Sequence, residues 1–141
     1  MADVTVTAAK VRPLNGAVVR RGSAGATLTP GQAVYLDGAN GWKLADADAL
    51  ASAQARGVVV SDGNGGVSFA SGQTVDIVTH GPVEGFSSLT PGGAAFVSAT
   101  AGALDQTAPA ASGDYPFSIG YAEQATVLYV APQSHVPTVN P

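Results

Sequence analysis

The feature that most constrains this chain is its punctuation. Short runs of β-branched and aromatic residues, each closed by Gly, Pro, Asn or Asp, recur as "QAVYLDG", "RGVVVSDG", "GVSFASG", "QTVDIVTHG", "AAFVSA", "FSIGYA" and "ATVLYVAP". Runs of this length and composition pack on a pleated, half-buried surface and are too short for helices, so they predict many short strands joined by turns. "QTVDIVTHG" alternates, with Val75, Ile77 and Thr79 on one face and Thr74, Asp76, Val78 and His80 on the other, which predicts one face drier than its opposite. "DGANG" (37–41) and "DGNGG" (62–66) carry the residues that tight hairpin loops need. The expected class is all-β: a small β-barrel or β-tulip-like body.

Within this pattern one phrase is written twice, "LTPGQAVYL" at 28–36 and "LTPGGAAFV" at 89–97. Neither copy holds a charge, a cysteine or a histidine, so the repetition is of architecture and not of chemistry. Pro presets φ for the second position of a turn, Gly supplies the positive φ that follows, and the apolar run then enters a strand. "ASGQTVDIV" (70–78) is a looser relative, so the device is expected up to three times. The wide spacing of the copies is no solenoid period and fits duplicated strand entries on a barrel or sandwich.

At 141 residues the chain fits one domain, and 45% hydrophobic content is too high for disorder. Charged residues make up only 11%, so much of the surface is Ser, Thr, Ala, Gly and Gln, which suits packing against other protein. There is no cysteine, no leader-like apolar region and no stretch long enough to span a membrane, and a soluble, unsecreted product is expected. Charge is split: residues 1–21 carry +3 and the rest −7 within a net −4. An acidic body with four leading cations argues against nucleic-acid binding. The basic segment reads either as an arm that seeks an acidic protein surface or as cations that solubilise a loose terminus.

The expected organisation is an extended N-terminal arm over 1–16, a β-barrel body over 17–132 and a Pro-rich C-terminal tail over 133–141. "DVTVTAAKV" alternates like a strand, yet Pro13 and Gly16 separate it from the body, so it reads as a strand with no local partner, free to extend a neighbour's sheet. The tail, with Pro132, Pro137 and Pro141, is expected to be extended and poorly ordered unless held by a partner. "DADALASAQARG" (46–57) predicts one short helix or helical loop outside the barrel, with Asp46 as cap and Gly57 as stop.

Candidate chemistry is sparse. His80 follows Asp76 by four residues, a conceivable pair on one strand face, but no nucleophile motif accompanies it, and a structural histidine at a strand end is the simpler reading. Glu84 lies four residues beyond it, and His135 belongs to the tail. Two distant histidines without cysteine do not make a zinc site, the Asp/Asn/Gly clusters lack the spaced carboxylates of a calcium loop, and no phosphate loop is present. No catalytic, cofactor or metal residue is therefore expected. Trp42, the sole tryptophan, reads as a lid on one barrel end, a sugar-stacking platform or an interface anchor.

The order and spacing of "GQAVYLDG", "ARGVVV", "THGPVEGF", "LTPGG" with "FVSATAGAL", and "GDYPFSIGYA" resemble the capsid decoration, or cement, proteins of tailed bacteriophages over roughly residues 10–133. The resemblance implies a non-enzymatic virion protein on the outer capsid surface, made in the host cytoplasm, commonly a homotrimer, that bridges subunits of the major capsid protein and needs neither membrane nor nucleic acid. Carried onto this chain, Asp3 to Arg12 would be the clamping arm, with Val4 and Val6 buried at the shell and Lys10, Arg12, Arg20 and Arg21 meeting acidic capsid groups. Deleting residues 1–12 is then expected to abolish head binding and leave the body folded. The alternative is a carbohydrate- or receptor-binding module of a phage fibre, with Trp42 on the ligand.

Overall fold

A computed structural model describes residues 3–38, 41–62 and 66–141. Strands dominate: β1 (Thr5–Val6), β2 (Arg12–Pro13), β3 (Val18–Ser23), β4 (Ala33–Asp37), β5 (Gly41–Leu44), β6 (Gly57–Val60), β7 (Thr74–Glu84), β8 (Phe86–Ser87), β9 (Ala94–Val97), β10 (Leu104–Asp105), β11 (Ser118–Gln124) and β12 (Val127–Val130). One helix, α1 (Leu50–Ala53), and a 3-10 turn at Ala8–Lys10 complete the described elements. The main sheet runs β10-β9-β11-β12-β7-β6-β4-β5, and the curled antiparallel sheet forms a half-barrel, the all-β barrel-like body expected from the punctuation.

β7 is its spine. Along one edge it pairs β2 at Glu84 and Val83 and then β3 from His80 to Thr74, while β12 and β6 also pair with it. The drier face expected for this strand forms over 74–80, where Val75 and Ile77 are buried and Thr79 is half-buried while Thr74 and His80 opposite are exposed, but Val78 on the wetter face is buried as well. Val75 and Ile77 face one core with Leu28, Val34, Val59 and Phe69, whereas Val78 and Val83 face a second with Val58, Val60, Phe117, Ile119 and Leu128. β6 and β7 thus wall off two cores, and β6 is dry on both faces. This explains the uninterrupted "VVV" of β6, since a strand buried on both sides has no use for a polar alternate.

The repeated phrase builds the same structure three times. Gly31, Gly72 and Gly92 hold φ of +94°, +92° and +84° at the third position of turns closed by Gln32, Gln73 and Gly93 amides donating to the carbonyls of Thr29, Ala70 and Thr90. Each turn then clasps one residue of a neighbouring segment by two bonds. Gly31 donates to Val59, whose amide donates back to Gln32; Gly72 and Gln73 do the same with Ala24, and Gly92 and Gly93 with Ala122. From these clasps the chain enters β4, β7 and β9. "GVSFASG" forms no strand of its own: Phe69 makes an isolated bridge to Leu28, and Ala70 to Gly72 belong to the third turn.

The helix expected over 46–57 shrinks to Leu50–Ala53. Asp46 accepts the Asp48 amide at 3.2 Å in a local turn and does not cap the helix, while Ala47 donates to Ser98 and Arg56 to Val34, which draws the backbone on both sides into sheet contacts. Gly57 is no helix stop. It opens β6, where a Cβ would lie 2.5 Å from the Val78 carbonyl. In the hairpin joining β4 to β5, Asp37 faces Gly41, and residues 39–40 of that loop, like 63–65 of "DGNGG", lie outside the described residues.

Neither end is detached. Thr5 and Val6 pair with Ser87 and Phe86, Val4 donates to Leu104, and Val11 is wholly buried in the larger core. The expectation of a strand without a local partner is corrected here, for a simple reason: an apolar strand in water finds apolar surface and open backbone groups on its own body first. "THGPVEGF" makes the room. A Cβ at Gly85 would lie 2.6 Å from Val11 Cα, and one at Gly81 2.6 Å from Ala17 Cα, so both glycines are places where the leading segment runs against β7. The tail carries no helix or strand, yet Asn140 ties it down. Its backbone exchanges bonds with Asp114 and Gly113, its amide donates to the carbonyls of Pro109 and Ala111, and Pro137 is buried.

Candidate interaction surface

β3 is the strand that positions a surface. "AVVRRGS" follows Gly16 and pairs with β7 over Val18–Ser23 with one irregularity at Val18/Val19. Among the described residues β7 is its sole strand partner; only beyond its end does Ala24 bridge Trp42. Its other edge is therefore open, with Val18 49% and Val19 43% exposed.

Beside this edge lies a concavity of about 540 Å³ lined by Arg20, Arg21, Leu36, Trp42, Arg56, Thr79 and Pro132. Trp42 is half-buried, packs on the smaller core and lies over Gly22, where a Cβ would come within 2.5 Å of its Nε1. Leu36 is 56% exposed. Arg21 donates to Asp76 at 2.9 Å, and that hydrogen bond, then the carboxylate charge, raises the pKa of its guanidinium, although the side chain keeps 72% exposure. Arg20 and Arg56 have no acidic partner among the described residues. Arg12 donates to Glu84 at 2.6 Å and lines a separate concavity with Val19, Asp62 and Asp76, and Lys10 is exposed in the 3-10 turn.

A further group of carboxylates lies elsewhere. Asp3, Asp105 and Asp114 line a smaller concavity of about 270 Å³ with Ser98, whose hydroxyl donates to Asp3 at 2.5 Å. Asp46 belongs to this side. Burial lifts its carboxyl above the ordinary aspartate range, the Asp48 amide opposes that shift, and the charges of Asp48 and Asp114 add to it.

The residues singled out from the sequence thus part company. Val4 packs against the larger core, and Val6 crosses Gly31. Val4 is half-buried, while Val6 keeps 37% exposure. Arg20 and Arg21 line one concavity with Trp42, whereas Arg12 lines another with Asp62 and Asp76, and Lys10 is exposed in the 3-10 turn. His80 and Asp76 make no pair: Asp76 is taken by Arg21, and His80 stands edge-on to Tyr129 at 5.5 Å. Val18, Val19, Leu36 and Arg56 were missed. The β-branched "VV" followed by Gly22 was a signal for β3, but nothing local marks which edge of a strand stays open. No helix is long and apolar enough to cross a membrane, and no group of metal-binding side chains occurs among the described residues. Searches against protein-family models and curated proteins find no match to this chain.

Proposed function

We propose that the chain is a structural virion protein that binds the outer surface of a tailed-phage head, as a homotrimer, and stabilises the lattice by bridging major capsid protein subunits. The observation that carries this reading is the open edge of β3 beside a concavity lined by Arg20, Arg21 and Arg56, on a small body poor in charged residues. Such a body acts by contact area: repeated over a symmetric shell, modest contacts add through multivalency. The phrases of the resemblance also have structural work to do here, as turn clasps and as glycine passages for the leading segment. The shell contact moves from the leading segment, which the body has already claimed, to the β3 edge.

The fibre-module reading draws on one observation, that Trp42 lines the concavity. Its ring is committed to Gly22 and the smaller core, which leaves less of it for stacking on a sugar. Quantitative mass spectrometry of purified particles tests the two. A copy number near parity with the shell subunit supports the lattice reading; a handful of copies overturns it in favour of a fibre, and absence from particles removes both.

A further inference from the structure

We propose that the open edge of β3 and the adjoining Trp42 concavity form a docking edge for an extended acidic polypeptide segment, which adds as a strand beside residues 18–22. The inference rests on the lattice-binding reading for the source of that segment, the shell protein, while the edge itself stands on geometry.

Three observations converge. The edge away from β7 has no strand partner over residues 18–22, up to the end where Ala24 bridges Trp42, and a run of that length matches an ordinary strand. Its flank is apolar at Val18, Val19 and Leu36, so alternate side chains of an added strand find dry surface. The concavity's charge has one sign: Arg20, Arg21 and Arg56 line it with no carboxylate among its lining residues, Arg20 and Arg56 lack acidic partners among the described residues, and Arg21 shares a single carboxylate. Guanidinium groups present a planar fork that matches carboxylates two bonds at a time, so the complement is a strand carrying Asp or Glu at alternate positions.

The same charges select against other occupants. Two copies of β3 paired edge to edge would set arginine near arginine, and like charges across a ladder are destabilising, so the edge is guarded against self-pairing while it stays attractive to an acidic strand. A nucleic acid would meet only this narrow cluster on a chain of net charge −4.

Trp42 is the chain's only tryptophan and lies in the concavity, so its fluorescence reports occupancy directly. The full chain is titrated with a blocked peptide of about eight residues alternating Glu and Val, with its Lys/Val counterpart, and with two forms of the acidic peptide N-methylated either at every Glu or at every Val. The expected result is a saturable change with the acidic peptide only, weakened by about 0.5 M salt. One of the two methylated forms should lose about tenfold or more in affinity, because only one set of amides faces β3. The R20E/R56E double variant, folded by circular dichroism, should lose about tenfold as well. Equal binding by both methylated forms would overturn strand addition, and no response to the acidic peptide would overturn the docking edge. Sedimentation showing that R20E/R56E dissociates a self-associated chain would assign the edge to a second copy. The titration and the particle count fail separately: a chain abundant on heads that ignores the peptide loses only this inference, and one that binds the peptide but is absent from heads loses only its source.

Discussion

The two copies of the repeated phrase are locally the same and globally different. At both, a Thr-Pro-Gly turn closes on itself and clasps a neighbour, Val59 in one case and Ala122 in the other, with the same pair of backbone bonds. Around the first copy, Pro30 and Gly31 are buried and Val6 lies where a Cβ of Gly31 would be, while Ala33, Ala45 and Gly102 pass three backbone bonds in a ring beneath it. Around the second, Pro91 and Gly92 are exposed and nothing stands within 4 Å of a Cβ on Gly92. One turn is a crossroads and the other an outer corner. The difference teaches that a turn motif encodes a bend and the loading on that bend comes from whatever the rest of the chain lays across it.

The caps differ in the same way. Gln32 and Gln73, each the fourth residue of its turn, fold back so that Oε1 accepts the amide of Thr29 or Ala70. In the second copy this position is Gly93, and Gln106 reaches in from outside the turn to accept from Thr90 and to donate back to its carbonyl. The two solutions exclude each other, because a Cβ on Gly93 would lie 2.9 Å from Gln106 Nε2.

The largest test of the comparison removes the roof of the first turn. Deleting residues 1–12 takes Val11 out of the core and uncovers Gly31, and it should cost roughly 4 kcal/mol or more, a large part of a small domain's stability. Denaturant unfolding checks it; an unchanged midpoint would restore the separable arm. Val11→Ala isolates the core contribution and should cost about 2 kcal/mol in the same assay. Gly31→Ala and Gly92→Ala then compare the two bends directly. Both place a Cβ at positive φ, at about 1–2 kcal/mol, but only the first also meets Val6, so it should be the more destabilising by about 1–3 kcal/mol. Equal losses would mean that the leading segment bears no weight on the turn. The smallest effect is at the cap. Gln106→Ala should lose about 1 kcal/mol, Gly93→Gln alone should not stabilise, and the double change should recover most of the loss by rebuilding the cap found in the other two copies.

Much of this was legible in the residues. "TPG" followed by an apolar run named the turns and the strands after them, and the looser "ASGQTV" copy proved to make the same clasp. Strands β4, β6, β7, β9, β11 and β12 all fall in runs with β-branched and aromatic residues between turn residues. The alanine-rich stretch 46–57 misled, because its helix propensity is weak enough for backbone partners on Ser98 and Val34 to outbid it. Alternation in "VTV" and "TVDIV" identified extended chain and could say nothing of partners: whether Val4 faces a shell or its own core is the same pattern. Of the candidate surface, the cations and Trp42 were visible, while Val18, Val19, Leu36 and Arg56 joined them only through pairing.

By itself, then, the sequence determined conformation over a few residues: where the backbone turns, where it extends, and which short stretches cannot be helix. Those preferences follow from steric limits on φ and ψ and from side-chain shape, which act within a turn's length. Tertiary structure decided everything that depends on which segment lies against which: two cores divided by β6 and β7, ends held to the body, and a β3 with one edge left open. Those outcomes depend on burial and on backbone pairing between residues far apart in the chain, such as Val11 with Gly85 and Arg21 with Asp76, and no local window contains both members of such a pair.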